Sequence, residues 1–253
     1  MTLDLTPKPG AAPWPSRLWA HVRMELRLLS RQGEQLLLTI VIPLMVLILG
    51  SKADSLLKTD APLDVVLPGV LALALVSMSF TSLAIGTGFE RRYGVLKHLG
   101  ATPLSPQGLL WGKALAIALA QGVQGLLLFG VALVLGWRPQ ADTSWISFGA
   151  LVVLGSLAFA GLALLLAGSF RAEITLALAN LLFILASAFG GVVVSVDRLP
   201  APLAPLVAYS PTGALGEGMR AVFAGDPAGM HLVVLTVWAN VAGAACMKWF
   251  KWE

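Results

Sequence analysis

The chain of 253 residues is 57% hydrophobic and 12% charged, with a net charge of +4 and a mean hydropathy of +0.84. An ordinary soluble domain carries about 25% charged residues, so this composition excludes a soluble enzyme and describes an integral membrane protein. The connections between apolar runs are too short for a further soluble domain, and 1–253 reads as a single transmembrane domain.

Residues 1–15, with Pro7, Pro9, Pro13 and Pro15, read as a flexible leader. The charged stretch before the first apolar run is too long for the start of a cleaved signal peptide, so the first span is expected to be retained. Residues 16–32 form an amphipathic pattern. Leu18, Trp19, Val22, Leu26 and Leu29 share one helical face, and Arg17, Arg23, Arg27, Ser30 and Arg31 share the other. That pattern suits a helix lying on the cytoplasmic leaflet with Trp19 at headgroup depth, or a soluble helix packed on a partner.

Six apolar segments follow, at 35–50, 65–89, 109–136, 145–167, 174–194 and 232–250. About 20 helical residues cross a hydrocarbon core, and only the first segment, which contains Pro43, is clearly short. With the N-terminus inside, all but Lys52, Lys58, Arg138, Arg198 and Arg220 of the 17 basic residues fall on the cytoplasmic side, so both termini are expected there. The single cysteine, Cys246, lies in the last apolar run and leaves no disulfide framework within the chain.

Between the second and third segments stands a charged stretch, Glu90 to Pro106. Tyr93, Leu96 and Leu99 fall at helical spacing, and Arg91, Arg92 and Lys97 are left to water or a partner. It reads either as a contact surface for something soluble or as a topological anchor. Residues 195–230 differ from the other loops: Pro200, Pro202 and Pro205 precede an apolar stretch, and Tyr209 to Gly213 break it before a helical piece from Ala214 to Phe223. Pieces this short do not span, which suits a re-entrant extracytoplasmic segment or an ordinary loop with surface helices.

Chemistry of its own is hard to place on this chain. His21, His98 and His231 have no second ligand at metal spacing, no Gly-x-Ser-x-Gly elbow occurs, and no metal site is expected. Gly108 to Ala114 is one residue too short between its glycines for a phosphate loop and ends without Ser or Thr. Lys113 within it is expected to snorkel from the third span to the headgroups. Ser77, Thr81, Gln121, Gln124, Asn180 and Asn240 are polar positions within spans, suited to a translocation path or to interhelical hydrogen bonds. Gly86, Gly88, Gly122, Gly125, Gly161, Gly190 and Gly191 permit close helix approach, inside the chain or between copies. No carboxylate stands at mid-membrane, which argues against ion-coupled transport.

The stretch Glu90-Arg91-Arg92-Tyr93-Gly94-Val95-Leu96-Lys97-His98-Leu99-Gly100-Ala101-Thr102-Pro103-Leu104-Ser105, within six spans, resembles the permease subunit of bacterial type-2 ABC exporters of the drug- and antibiotic-resistance branch. The resemblance implies an all-α membrane fold with an N-terminal interface helix (Arg17, Trp19, Arg23, Arg27, Arg31). It also implies a cytoplasmic coupling helix for an ATPase subunit (Glu90, Arg91, Arg92, Tyr93, Leu96, Lys97, Leu99). A re-entrant helix pair before the last span would form an exit gate (Tyr209, Pro211, Thr212). Implied too are a multi-pass location in the bacterial cytoplasmic membrane, a second copy or a related permease, and export of amphiphilic drugs, antibiotics or lipids by alternating access. ATP and Mg would sit on the separate ATPase chain, with no cofactor on this one and no nucleic acid among its partners. A membrane scaffold binding a soluble partner, without transport, is the alternative that shares the same composition.

Overall fold

The computed structural model describes residues 10–31, 33–52, 61–100, 103–192, 195–196 and 199–250. Residues 1–9 of the expected leader, Gln32 at the end of the expected interface helix, residues 193–194 of the fifth expected span, and 197–198 lie outside them.

The described regular elements are all helical. In chain order they are α1 (Trp14–Arg31), α2 (Gly33–Gly50), α3 (Pro62–Val76), a π-helical turn (Ser77–Ser82), α4 (Leu83–Arg92), α5 (Val95–Gly100) and α6 (Pro106–Val134). Then come α7 (Trp145–Ser169), α8 (Ala172–Phe189), α9 (Ala204–Ala208), α10 (Pro211–Ala224) and α11 (Gly229–Trp249). Among the described residues five helices suffice by length and composition to cross a membrane: Pro62–Arg92, Gly108–Val134, Trp145–Ser169, Ala172–Phe189 and Gly229–Trp249, while Thr39–Gly50 is a shorter apolar stretch.

Local sequence sets several boundaries. Ser105 and Ser210 cap α6 and α10, their hydroxyl oxygens accepting from the Gly108 and Gly213 amides at 3.2 and 3.1 Å. A proline follows each cap, where its missing N–H costs nothing. As a result α10 begins at Pro211, three residues before the expected Ala214. The fifth span ends at Phe189, earlier than the expected 194, because Gly190 and Gly191 follow and Gly191 takes a left-handed φ of 75°.

The second span runs on as one 31-residue helix from Pro62 to Arg92, past the expected end at 89. At 1.5 Å per residue it is about 46 Å long, against about 30 Å of hydrocarbon, so its Arg92 end projects beyond the apolar layer when its middle is centred. The expected continuous helix from Glu90 to Leu99 is therefore split. Glu90, Arg91 and Arg92 close the long helix, Gly94 turns the chain with φ 71°, and α5 starts afresh at Val95.

Packing is densest between α7 and α11, where Gly161 lies so close that a Cβ there would stand 2.9 Å from the Ala242 Cβ. α10 is enclosed by α3, α7 and α11 and buries Leu215, Met219 and Val222. At the end remote from α5, Phe129, Trp137, Trp145, Phe148 and Phe223 form a cluster with ring centroids 5.6–6.3 Å apart. Exposed leucines and valines elsewhere on the spans are what a lipid-facing surface requires.

Candidate functional site

The α5 end of the bundle holds a buried ionic junction. Lys113 on α6 places its Nζ 2.8 Å from Oε1 of Glu25 on α1, and 2.8 and 2.6 Å from the two carboxylate oxygens of Glu90 on α4. The side chains of Lys113, Glu25 and Glu90 are 6%, 9% and 17% exposed. Lys113 therefore does not snorkel to headgroups, contrary to expectation; two carboxylates from different helices hold it inside. Such a junction adds little net stability over an apolar packing, but removing one partner strands a buried charge at about 3–5 kcal/mol.

His21 extends the junction. Its Nε2 lies 3.5 Å from Glu25 Oε1 and 3.3 Å from the Leu109 carbonyl, and its ring packs on Gly112, where any Cβ would collide. Burial pushes the imidazole below its ordinary pKa; Glu25 opposes that shift and Lys113 reinforces it. The face by which α1 docks on α6 is thus His21, Val22 and Glu25. Trp19 is exposed, with the Arg23 guanidinium 5.5 Å from its ring, and Arg27 and Arg31 are exposed too. Arg17 donates to the Pro103 carbonyl.

The next two residues of α4 are also occupied. Arg91 donates to the carbonyls of Gly168 at 2.5 Å and Phe170 at 3.0 Å, at the C-terminal end of α7, and Arg92 pairs with Glu173 at the start of α8. Arg91 is thus taken up within the chain, against the expectation that it is left to water or a partner, while Arg92 keeps about half of its side chain exposed beside Glu173. On α5 itself Leu96 is buried, fixing the helix to its own chain, and Leu99 is half-buried. Among the described residues from Glu90 to Leu99, Tyr93, Lys97 and His98 are exposed together with Arg92.

Two large spaces flank α8. A cavity of about 1060 Å³ lies among the end of α1, α2, the second span and α8; Ser77, Thr81 and Asn180, with Thr39, Arg31 and Glu90, are polar groups in its otherwise mostly apolar wall. The π turn carries the first two, and the Thr81 hydroxyl is buried with no hydrogen-bond partner. On the other side an apolar groove of about 760 Å³ runs between α7 and α8.

The remaining polar span residues are elsewhere. Gln121 donates to the Leu75 carbonyl at 3.3 Å and accepts from the Ser156 hydroxyl at 2.8 Å, while Gln124 donates to the Thr39 carbonyl at 2.7 Å. They join helices. Asn240 donates to Thr236 within α11 and faces outward. The six expected path residues thus separate into three that line the 1060 Å³ cavity, Gln121 and Gln124 that line a smaller space of about 340 Å³, and the exposed Asn240.

At the far end, Pro211 and Thr212 line the apolar groove, and Tyr209 is exposed, its carbonyl accepting from Trp238 at 2.9 Å. Arg220 on α10 donates to the Gly191 and Val192 carbonyls at 2.8 and 2.7 Å and to Glu217, which accepts from the Val196 amide at 2.7 Å. These bonds tie α10 to the end of α8.

A protein-family model described as ABC-2 family transporter protein matches residues 58–247. The chain belongs to this family. It is accordingly a multi-pass membrane protein and the membrane subunit of an ABC transporter, and the family implies an ABC ATPase on a separate chain. No curated protein matches the chain. The ABC-2 match spans the long second helix, α5 and the cavity-lining part of α8, and it begins after α1 and α2.

In this ABC-2 subunit Glu25 is the residue that sequence reasoning passed over, and Lys113 is one that it placed at the headgroups instead of inside. A signal existed for both. Glu25 continues the apolar stripe of Leu18, Val22 and Leu29 on α1, and Lys113 sits among Leu109, Gly112, Ala116 and Ile117 on the buried stripe of α6. A charge inside an apolar stripe calls for a buried partner.

Proposed function

We propose that this chain is the permease of an ATP-driven exporter, of the bacterial drug-resistance type, that moves amphiphilic small molecules such as drugs, antibiotics or lipids out of the cytoplasm or inner leaflet. In this reading α2 completes six crossings, and both termini, α1 and α5 face the cytoplasm of a bacterial inner membrane. A second copy or a related permease closes the open side of the cavity. ATP and Mg bind the ATPase, whose closure shifts the spans between inward- and outward-facing arrangements.

The observation that carries the reading is the 1060 Å³ cavity. A mostly apolar wall that carries the Ser77 and Thr81 hydroxyls and the Asn180 amide, with the charged Arg31 and Glu90 also among its lining, suits an amphiphile that has both an apolar body and a polar head. Its lining reaches Glu90, Tyr93 and Val95, so one space extends from mid-span to the edge of α5. We assign the docking face for the ATPase to Tyr93, Lys97 and His98, and the exit to the α9–α10 pair with Tyr209, Pro211 and Thr212.

The test is ATP-driven uptake of a fluorescent amphiphilic dye into inside-out proteoliposomes containing the chain and its ATPase subunit. Thr81→Val and Asn180→Leu are expected to raise the apparent KM for dye about 3- to 10-fold, the size of one lost hydrogen bond each. Uptake that does not depend on ATP, or is absent with an assembled complex, overturns the reading in favour of a scaffold.

A further inference from the structure

Glu90, Arg91 and Arg92 are three successive residues at the end of the second span, and each is bonded to a different part of the molecule. Glu90 meets Lys113 on α6 and, through it, Glu25 on α1. Arg91 occupies carbonyls at the C-terminal end of α7, where a helix leaves acceptors without intrahelical donors and presents the negative end of its dipole. Arg92 reaches Glu173 in the first turn of α8. This last pair is about half-exposed and adds direction rather than strength.

We propose that Glu90-Arg91-Arg92 is an internal hub that distributes displacement of α5 to α1, α6, α7 and α8, and that these three are positioning residues instead of docking contacts. The proposal rests on the coupling role given to α5 above and assigns its transmission. Gly94 is the only residue between Tyr93 and α5, so a push on α5 enters the spans through the Arg92 end of the long helix. Without the hub that push acts on one helix; with it, five elements are addressed at one level of the bundle. The wall of the 1060 Å³ cavity contains three of the elements so joined, α1 through Leu28 and Arg31, the long helix and α8.

Docking contacts and a hub make different predictions for the same substitutions. The chain would be assembled with its ATPase subunit in nanodiscs on a Cys246→Ala background, with Asn180→Cys as reporter in the cavity wall. Its modification by a maleimide would be compared without nucleotide and after trapping with ATP and vanadate. In the otherwise unaltered complex the rate is expected to change at least about 5-fold between the two states. Glu90→Gln and Arg91→Met are expected to keep the amount of bound ATPase within about twofold while reducing that change below about twofold. Lys97→Glu, on the exposed face of α5, is expected to lose the ATPase itself.

Arg92→Glu should weaken the response, and Arg92→Glu with Glu173→Arg should restore it, a rescue that does not depend on any single variant folding well. The hub is overturned if Glu90→Gln and Arg91→Met release the ATPase as Lys97→Glu does, which would make them docking residues. It is also overturned if they retain the full nucleotide response, or if the exchanged pair fails to recover it. A complex without substitutions in the hub that shows no nucleotide response overturns the coupling reading itself, and the hub with it.

Discussion

His21 stands at the α1 junction with its imidazole pushed below the ordinary pKa by burial, and its position gives that titration a sign. Packed on Gly112 beside the Leu109 carbonyl, it is held neutral because burial disfavours the imidazolium more than Glu25 favours it. An imidazole whose folded pKa lies below the unfolded value of about 6.5 contributes stability that is present above that pH and lost as pH falls through the folded value. Docking of α1 is therefore expected to loosen on acidification. Val22→Cys on a Cys246→Ala background should be labelled faster at pH 5.5 than at pH 7.5, relative to Arg27→Cys on the exposed face, and His21→Gln should flatten the difference. A pH-independent ratio with His21 intact would contradict this account.

Among the helices, the α7–α11 pair shows how backbone approach is used. The Cβ of any residue at 161 would stand 3.0 Å from the Ala242 backbone carbon, and backbone cannot yield as a flexible side chain can. Gly161→Val is expected to cost about 1–3 kcal/mol by overpacking, visible as a lower Tm in detergent, whereas Gly122→Ala, with open space around it, should leave Tm unchanged. The glycine set read from the sequence thus divides: Gly88, Gly161, Gly190 and Gly191 meet neighbours within the chain, and Gly86, Gly122 and Gly125 do not. The apolar runs were legible because a long hydrophobic segment and its flanking caps are local properties; the Tyr209–Gly213 break, where Ser210 and Pro211 start α10, was readable for the same reason. The split of the expected Glu90–Leu99 helix was not, because its spacing of Tyr93, Leu96 and Leu99 suits a helix on either side of a turn, and only the positive φ of Gly94 decides. The partners of Glu90 and Lys113 were beyond reach for another reason. Glu25 and Lys113 are 88 positions apart, and pairing at that distance is set by how α1 lies on α6, which no local pattern encodes.

For the molecule as a whole, the long Pro62–Arg92 helix explains how buried charge and a membrane location coexist. A rod of about 46 Å exceeds about 30 Å of hydrocarbon, so with its middle centred the Glu90 end, with Lys113 and Glu25, falls in the interface, where the cost of holding ions is lower than at the bilayer centre. From that level inward to the far end, α8 is the least enclosed span: Ala172, Thr175 and Ala179 are its buried residues, and the cavity and the apolar groove lie on its two sides. Its ends are fastened, by Glu173 to Arg92 at one and by the Gly191 and Val192 carbonyls just beyond it to Arg220 at the other. Amide exchange should therefore be fastest around Leu181–Leu185 and slower toward Thr175 and Phe189, and a flat profile along α8 would contradict this. In mechanical terms the helix is a beam clamped at both supports with an unbraced midspan, for which bowing is softer than tilting. Such a beam can widen the cavity alongside its middle while both of its ends stay fastened.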